Sequence, residues 1–133
     1  MTPIILPITL CMAAAAALIN FWLAMRCGQI RTREKINIGT GGNDMLERRM
    51  RAQLNFAENT PWVLMLVAAI ELAEKGGTWL PYVAGAYMLA RVAHGLGMDG
   101  GSLQAGRGVG VMITMLAQIG LAVVAIMVAL GKM

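Results

Sequence analysis

The segment ERRMRAQLNFAE, residues 47–58, stands at the entrance of a long apolar stretch. On an α-helix, steps of four and three residues place Arg51, Asn55 and Glu58 on one face. On insertion scales, a charged side chain at the centre of a membrane costs about 2.5–3.5 kcal/mol, and less near the interface. We therefore expect this polar face to meet a polar partner, from the protein or from a ligand.

The chain as a whole is apolar: 58% of its 133 residues are hydrophobic, and its mean hydropathy is +0.65. Four apolar stretches lie at residues 3–25, 53–73, 79–98 and 109–131. Each approaches the roughly 20 residues that cross a hydrocarbon core. This pattern predicts an all-α membrane protein, a bundle of four transmembrane helices forming a single domain over residues 1–133. We expect the helices at about residues 3–25, 45–73, 79–98 and 108–131.

Basic residues are concentrated in the connection between the first two predicted helices. That connection holds seven of the 11 Lys and Arg residues: Arg26, Arg31, Arg33, Lys35, Arg48, Arg49 and Arg51. The second connection has only Lys75, so the positive-inside rule predicts cytoplasmic first and third connections, with both termini outside. Five of the basic residues are expected to snorkel to lipid headgroups: Arg26, Arg33, Lys35, Arg48 and Arg49.

The connections and the second helix carry further signals. Residues 26–44 change composition sharply and predict a surface loop, after which Asn43 or Asp44 is placed to cap the second helix. Glu47 follows Asp44 by three residues, as a capping box requires. Pro61 is expected to bend this helix just beyond Glu58, which either opens space for a ligand or serves helix packing.

Polar residues that are suited to a ligand site gather near the predicted cytoplasmic ends of the helices. They are Arg31, Arg51, Asn55, Glu58, Arg91, His94 and Arg107. Guanidinium groups bind carboxylates, Glu58 suits an ammonium or amide N–H, and Asn55 suits a peptide group. A flexible zwitterion with several carboxylates, such as glutathione, fits this set, although an ion pair of Glu58 with Arg51 or Arg91 is the structural alternative.

Other ligand classes find little support in the sequence. His94 has no metal-ligand pattern near it, so no metal site is expected. Cys11 and Cys27 form no cluster and are expected to be free structural thiols. Nucleic acid is not an expected partner, because interleaved aromatic residues and a recognisable binding motif are missing.

The order of these motifs resembles the membrane-associated proteins in eicosanoid and glutathione metabolism, the MAPEG family. The matching segments are GQIRTREK at 28–35, ERRMRAQLNFAENTP at 47–61, ARVAH at 90–94, and Arg107. The R-A-x-x-N-x-x-E core of the second is the most specific of them. The loops are short, as in the bacterial members of the family, and this likeness implies that the membrane is the bacterial inner membrane.

The resemblance implies a homotrimer of four-helix subunits in contact with lipid, with glutathione as cofactor between adjacent subunits near the cytoplasmic face. It implies glutathione contacts at Arg31, Arg51, Asn55, Glu58 and His94, with Gln53 as a further candidate. Arg107 matches the arginine that is proposed to hold the thiolate, while Arg91 is structural or adjacent to the ligand.

The implied activity is that of a glutathione transferase or peroxidase acting on a lipophilic electrophile or a lipid hydroperoxide. The sequence departs from the eicosanoid enzymes of the family. Two positions at which those enzymes have tyrosine are Met98 and Val111 here, and the residue after Arg107 is Gly108, where one of them has a serine. Prostaglandin or leukotriene synthesis is therefore not supported, and a non-catalytic lipid-binding or scaffold protein of the family is the main alternative. A small exporter of cationic drugs is a weaker one, because Glu58 and Glu71 are expected to accompany arginines rather than to stand alone.

Overall fold

The computed structural model describes residues 2–133 and folds this part of the chain into four long helices without any strand. The helices are α1 (Pro7–Glu34), α2 (Asp44–Leu72), α3 (Leu80–Gly97) and α4 (Ala105–Ala129). A short 3₁₀ turn, Gly101–Leu103, precedes α4. The predicted all-α helical bundle is confirmed.

Two helical segments, Pro7–Glu34 and Gly101–Ala129, are long and apolar enough to cross a membrane. Little of either apolar stretch is buried inside the single chain, with 11% and 17% of their most apolar windows covered. Such apolar surface needs an apolar surrounding, and hydrocarbon supplies it. The expectation that α2 and α3 also cross the membrane rests on their apolar stretches in the sequence, and among the described residues neither helix meets the same measure of length and apolar character.

Helix α1 runs well past the expected end near residue 25 and takes up the first part of the predicted 26–44 loop. Its last residues, RCGQIRTRE, are mostly polar but include good helix formers, so the end of the apolar stretch marks a change of surroundings rather than the end of the helix. The helix stops where Lys35 adopts a left-handed conformation, with φ of 57°. At the other end, the carboxylate of Glu71 accepts hydrogen bonds from the backbone N–H groups of Ile8 and Thr9. Glu71 therefore caps α1 and, within residues 2–133, forms no ion pair with an arginine.

Of the two candidate caps of α2, the structure selects Asn43. Its side-chain oxygen accepts a hydrogen bond from the backbone N–H of Leu46 at 2.9 Å. Leu46, not Glu47, then occupies the third helical position, so the predicted capping box is not formed. Pro61 lies within α2, which remains one continuous helix from Asp44 to Leu72.

Helices α3 and α4 cross at backbone contact because glycine occupies the crossing. A Cβ atom on Gly110 would lie 2.5 Å from Cβ of His94, and one on Gly106 would lie 2.4 Å from the carbonyl oxygen of Ala93. Small residues four apart on one helix allow such close approach in membrane bundles. The main apolar core lies towards the other end of the bundle and is made by Met12, Val63, Val67, Ile70, Leu80, Ala84, Tyr87, Met88, Ala117 and Leu121.

Candidate functional site

A polar cavity of about 570 Å³ opens where α2 and α4 begin and α3 ends. Its wall contains five of the residues predicted from the sequence: Arg51, Asn55, Glu58, His94 and Arg107. The remaining lining residues are Asp44, Glu47, Arg48, Leu54, Met98 and Val111. A volume between about 300 and 1,000 Å³ is typical of sites for small organic ligands.

Local sequence features bring the two walls of this cavity together. The spacing of four and three residues on α2 presents Arg51, Asn55 and Glu58 to the same space. Opposite them, the glycines of the α3–α4 crossing hold the start of α4 against the end of α3. A Cβ atom on Gly97 would lie only 2.2 Å from the backbone nitrogen of Arg107. Close helix packing therefore places Arg107 in the same wall as His94.

Arg91 lies behind the cavity wall and is 1% exposed. Its Nη2 donates to Oδ1 of Asn55 at 2.6 Å, and its Nη1 donates to Oγ1 of Thr114 at 2.9 Å. Its guanidinium carbon lies 6.0 Å from the centroid of the Phe56 ring, within range of a cation–π contact. Arg91 thus joins α2, α3 and α4 next to the cavity.

The structural alternative for Glu58 is not observed. Within residues 2–133, Glu58 forms no ion pair with Arg51 or Arg91, and neither arginine pairs with another carboxylate. In the described part of the chain, Nε of Arg91 and Nδ1 of His94 are buried and also have no hydrogen-bond partner. Charged and polar groups at this cavity therefore remain available to bind a ligand.

Arg31 and Gln53 lie apart from the first cavity, in the wall of a second one of about 670 Å³ on the α1 side of α2. Arg31 donates to the carbonyl oxygen of Gly39 at 2.9 Å, which ties it to its own loop. Gln53 lies 3.4 Å from the side-chain oxygen of Asn20 on α1. The two cavities share three wall residues, Glu47, Arg51 and Leu54. They therefore lie on either side of one exposed face of α2.

Four of the five basic residues that were expected to snorkel pair with a carboxylate in the structure, and two of these four share the same one. Arg26 and Arg49 both pair with Asp99 in the connection between α3 and α4, with Nη2 of Arg49 at 3.1 Å. Partial burial of Asp99 opposes its ionisation, but hydrogen bonds from Arg49 and Arg26 outweigh this and hold its pKa below the ordinary value. The sequence offered a signal for this pairing, because Asp99 is the sole acidic residue in that connection.

The match of the chain to known families agrees with this arrangement. The model of the MAPEG family matches residues 9–127, which cover nearly all of α1 and α4, the whole of α2 and α3, and every residue of the first cavity. The chain belongs to the MAPEG family. It is thus an integral membrane protein of a family that is associated with glutathione and eicosanoid metabolism. No individually curated protein matches the chain at a significant level.

In this MAPEG protein, both positions that lack the expected tyrosines face the first cavity. Met98 and Val111 line it together with Leu54, so the wall has an apolar part beside its charged groups. Val111 follows Arg107 by four residues and therefore lies one turn away on the same face of α4. A ligand that reaches Arg107 also meets this apolar surface.

Proposed function

We propose that this MAPEG protein is a glutathione-dependent membrane transferase or peroxidase that acts on a lipophilic electrophile or a lipid hydroperoxide. The observation that carries the proposal is the cavity in which Arg51, Asn55, Glu58, His94 and Arg107 meet. These groups offer cations, a carboxylate and an amide within a volume suited to a tripeptide.

The chemistry of the wall fits glutathione group by group. Arg51 is exposed, has no carboxylate partner among residues 2–133 and suits a ligand carboxylate. Glu58 is exposed and equally free of ion pairs, so it suits the ligand ammonium group. Asn55 lies between them on the same helix face, one turn from each, and suits the peptide group that joins these charges.

Arg107 is the residue that we assign to the thiol. A thiol of pKa about 8.5 is mostly protonated at neutral pH, and lowering this pKa by two units needs about 2.7 kcal/mol. A guanidinium at about 4 Å supplies about 4 kcal/mol at an effective dielectric constant near 20. One arginine is therefore sufficient to generate a large fraction of thiolate.

Glutathione supplies the sulfur, which adds to an electrophilic carbon or displaces a leaving group from it; in the peroxidase reaction two glutathione molecules are oxidised to the disulfide while the hydroperoxide is reduced to an alcohol and water. The protein's part is to orient that sulfur beside the apolar surface of Leu54, Met98 and Val111, where a lipophilic second substrate lies. This surface selects for apolar character and size rather than for a particular functional group. The second substrate is accordingly expected to arrive from the bilayer.

We also propose that the site is completed in a homotrimer. Side chains on the outer face of α2, including Leu54, Trp62, Met65 and Leu72, are more than half exposed in the single chain. The same face separates the two cavities, so a neighbouring subunit that packs here covers both. Such packing would bring Arg31 and Gln53 of one subunit to the ligand that is bound by the neighbouring subunit. In the proposed orientation this end of the bundle is cytoplasmic and both termini lie outside.

The deciding experiment is the thiolate difference absorbance in the far ultraviolet when glutathione is added to the purified protein in detergent at neutral pH. We expect a saturable signal, which S-methylglutathione does not produce. Arg107→Ala should lose the signal while binding of S-methylglutathione persists. Arg33→Ala removes an exposed guanidinium outside the cavity and is the matched control. A full thiolate signal in Arg107→Ala contradicts the role of Arg107.

A lipid-binding or scaffold role is the second candidate, and one observation favours it. An apolar groove of about 410 Å³ lies between α1 and α3 at the other end of the bundle, lined by Pro7, Ile8, Cys11, Met12, Ala15, Pro81, Ala84, Gly85 and Met88. Absence of any thiolate signal from an intact assembly, together with retention of labelled lipid, supports this candidate against the enzyme.

A further inference from the structure

Arg91 is a buried cation whose hydrogen-bond partners are neutral. Burying a guanidinium is costly, and a carboxylate is its usual partner in a protein interior. Here the charge is held instead by the amide of Asn55 and the hydroxyl of Thr114, with the Phe56 ring alongside. Among residues 2–133 it has no ion pair. These contacts join α2, α3 and α4, but an uncharged donor would join them without the cost of a buried charge.

The bond to Asn55 fixes which end of the amide faces Arg91. A guanidinium has only donors, so the atom 2.6 Å from Nη2 has to be the amide oxygen. The amide nitrogen of Asn55 then points elsewhere, and it has no hydrogen-bond partner within the described residues. It is not among the buried polar atoms without a partner, whereas Asn55 itself lines the first cavity. The free N–H groups are therefore available to a ligand in that cavity.

We infer that Arg91 is a positioning residue: it holds the oxygen of Asn55, so that the amide nitrogen donates into the cavity and selects a ligand group that accepts a hydrogen bond. The group selected is a carbonyl or carboxylate oxygen. This inference rests on the proposed glutathione site, and it assigns Arg91 a specificity role that it exerts without touching the ligand. Without Arg91, the amide is free to rotate and to offer either its oxygen or its nitrogen.

The uncompensated charge of Arg91 acts in the same direction. A cation behind the cavity wall makes the potential in the cavity more positive, which favours electron-rich groups of a ligand. A carboxylate in place of the Asn55 amide cancels that charge and also removes the N–H donor. The variant Asn55→Asp consequently separates the two roles of this residue, as partner of Arg91 and as donor to the ligand.

The first test measures the stability of Asn55→Asp, for which no ligand is required. A carboxylate is a stronger acceptor for the guanidinium than an amide, so we expect the midpoint of thermal unfolding in detergent to stay the same or rise. Asn55→Leu, which is similar in size but has no acceptor, should lower it. A fall in Asn55→Asp equal to that in Asn55→Leu overturns the inference, because it shows that Arg91 does not hold the oxygen.

The second test measures glutathione affinity by calorimetry on the same preparations. Asn55→Asp should bind glutathione at least about tenfold more weakly although its stability is equal or higher, since the lost bond is one to a charged or strongly polar acceptor. Arg91→Lys should weaken binding by a similar factor, but not further in the Asn55→Ala background. Equal weakening by Arg91→Lys in both backgrounds overturns the inference, as does undiminished binding by Asn55→Asp.

Thr114→Val is the matched control because it removes the other acceptor of the same guanidinium and leaves Asn55 in place. We expect it to lower stability while glutathione affinity stays within about twofold. Glutathione binding by Thr114→Val as weak as that by Arg91→Lys assigns Arg91 a merely structural role. Failure of the unaltered protein to bind glutathione refutes the proposed function instead, and the stability comparison then decides whether Arg91 holds Asn55.

Discussion

Replacing Gly110 by alanine should separate helices α3 and α4 and thereby damage the candidate site. The new Cβ atom would lie 2.5 Å from Cβ of His94 and 2.7 Å from the carbonyl oxygen of Ala90. Ordinary contacts between carbon atoms are about 3.5–4.0 Å, so the helices have to part by about 1 Å. Backbone atoms cannot rotate out of the way, unlike the end of a flexible side chain.

The expected loss of stability follows from two opposing terms. Overpacking of this kind costs about 1–3 kcal/mol, while alanine is favoured over glycine in a helix by about 1 kcal/mol. We expect the free energy of unfolding to fall by about 2 kcal/mol, the upper end of the difference between these terms, because both clashing groups are fixed. Gly120→Ala lies on the same helix and meets no atom within 4 Å, so it should be neutral or more stable by up to about 1 kcal/mol.

The assay is unfolding in detergent by titration with sodium dodecyl sulfate, followed by tryptophan fluorescence, together with thiolate absorbance in the presence of glutathione. A displacement of about 1 Å at a catalytic group lowers rates by up to about 100-fold, so Gly110→Ala should lose most thiolate-dependent turnover. Equal stability and equal thiolate signal in Gly110→Ala and Gly120→Ala refute the reasoning that glycine contact positions Arg107.

Three further variants test contacts that hold the bundle. Asp99→Asn should lower the free energy of unfolding by about 1–2 kcal/mol at neutral pH. Because the folded-state pKa of Asp99 is depressed, the advantage of the aspartate is present above its ordinary pKa and should disappear as pH falls below about 4. Unfolding measured at several pH values checks this. Asn43→Ala removes the cap of α2 and should lower the free energy of unfolding by about 1 kcal/mol, whereas an unchanged value contradicts the cap. Glu71→Gln should speed amide hydrogen exchange at Ile8 and Thr9 without affecting glutathione binding, and unchanged exchange shows that the carboxylate does not cap α1.

Patterns along a single helix were readable from the sequence. Arg51, Asn55 and Glu58 share a face because the helical period requires it, and the apolar stretches predicted an all-helical membrane bundle. The end of α1 was misjudged because hydropathy reports the surroundings of a helix and not its length. Nine polar or mixed residues continue the helix to Glu34 once it leaves the apolar stretch.

Contacts between helices were harder to predict from the sequence. Thr114 and Gln118 are the uncharged polar residues of α4, and the structure gives each a partner: Arg91 for Thr114 and Asn59 for Gln118. Which helix faces which depends on their rotation and crossing, and a single sequence does not fix these. The separation of Arg31 from the other predicted ligand residues has the same origin, since it depends on how α1 packs beside α2. Gln53 lies on the α1 side of α2 because it is two residues from Arg51 and from Asn55 along the helix.

The ion pairs around Asp99 also determine how an anion first encounters this protein. Asp99 forms ion pairs with Arg26 and Arg49, Asp44 pairs with Arg48, and Glu34 pairs with Arg33. Much of the positive charge in the first connection is thereby compensated locally, and the arginines left without a carboxylate partner in the described chain are those of the two cavities: Arg31, Arg51 and Arg107, with Arg91 behind them. The cations without a carboxylate partner are therefore concentrated at the two cavities, beside the likewise unpaired Glu47 and Glu58, rather than spread over the headgroup surface. Added salt should accordingly slow the capture of an anionic ligand much more than it shortens the ligand's residence time, because screening acts over about 8 Å in solution and little inside a closed site.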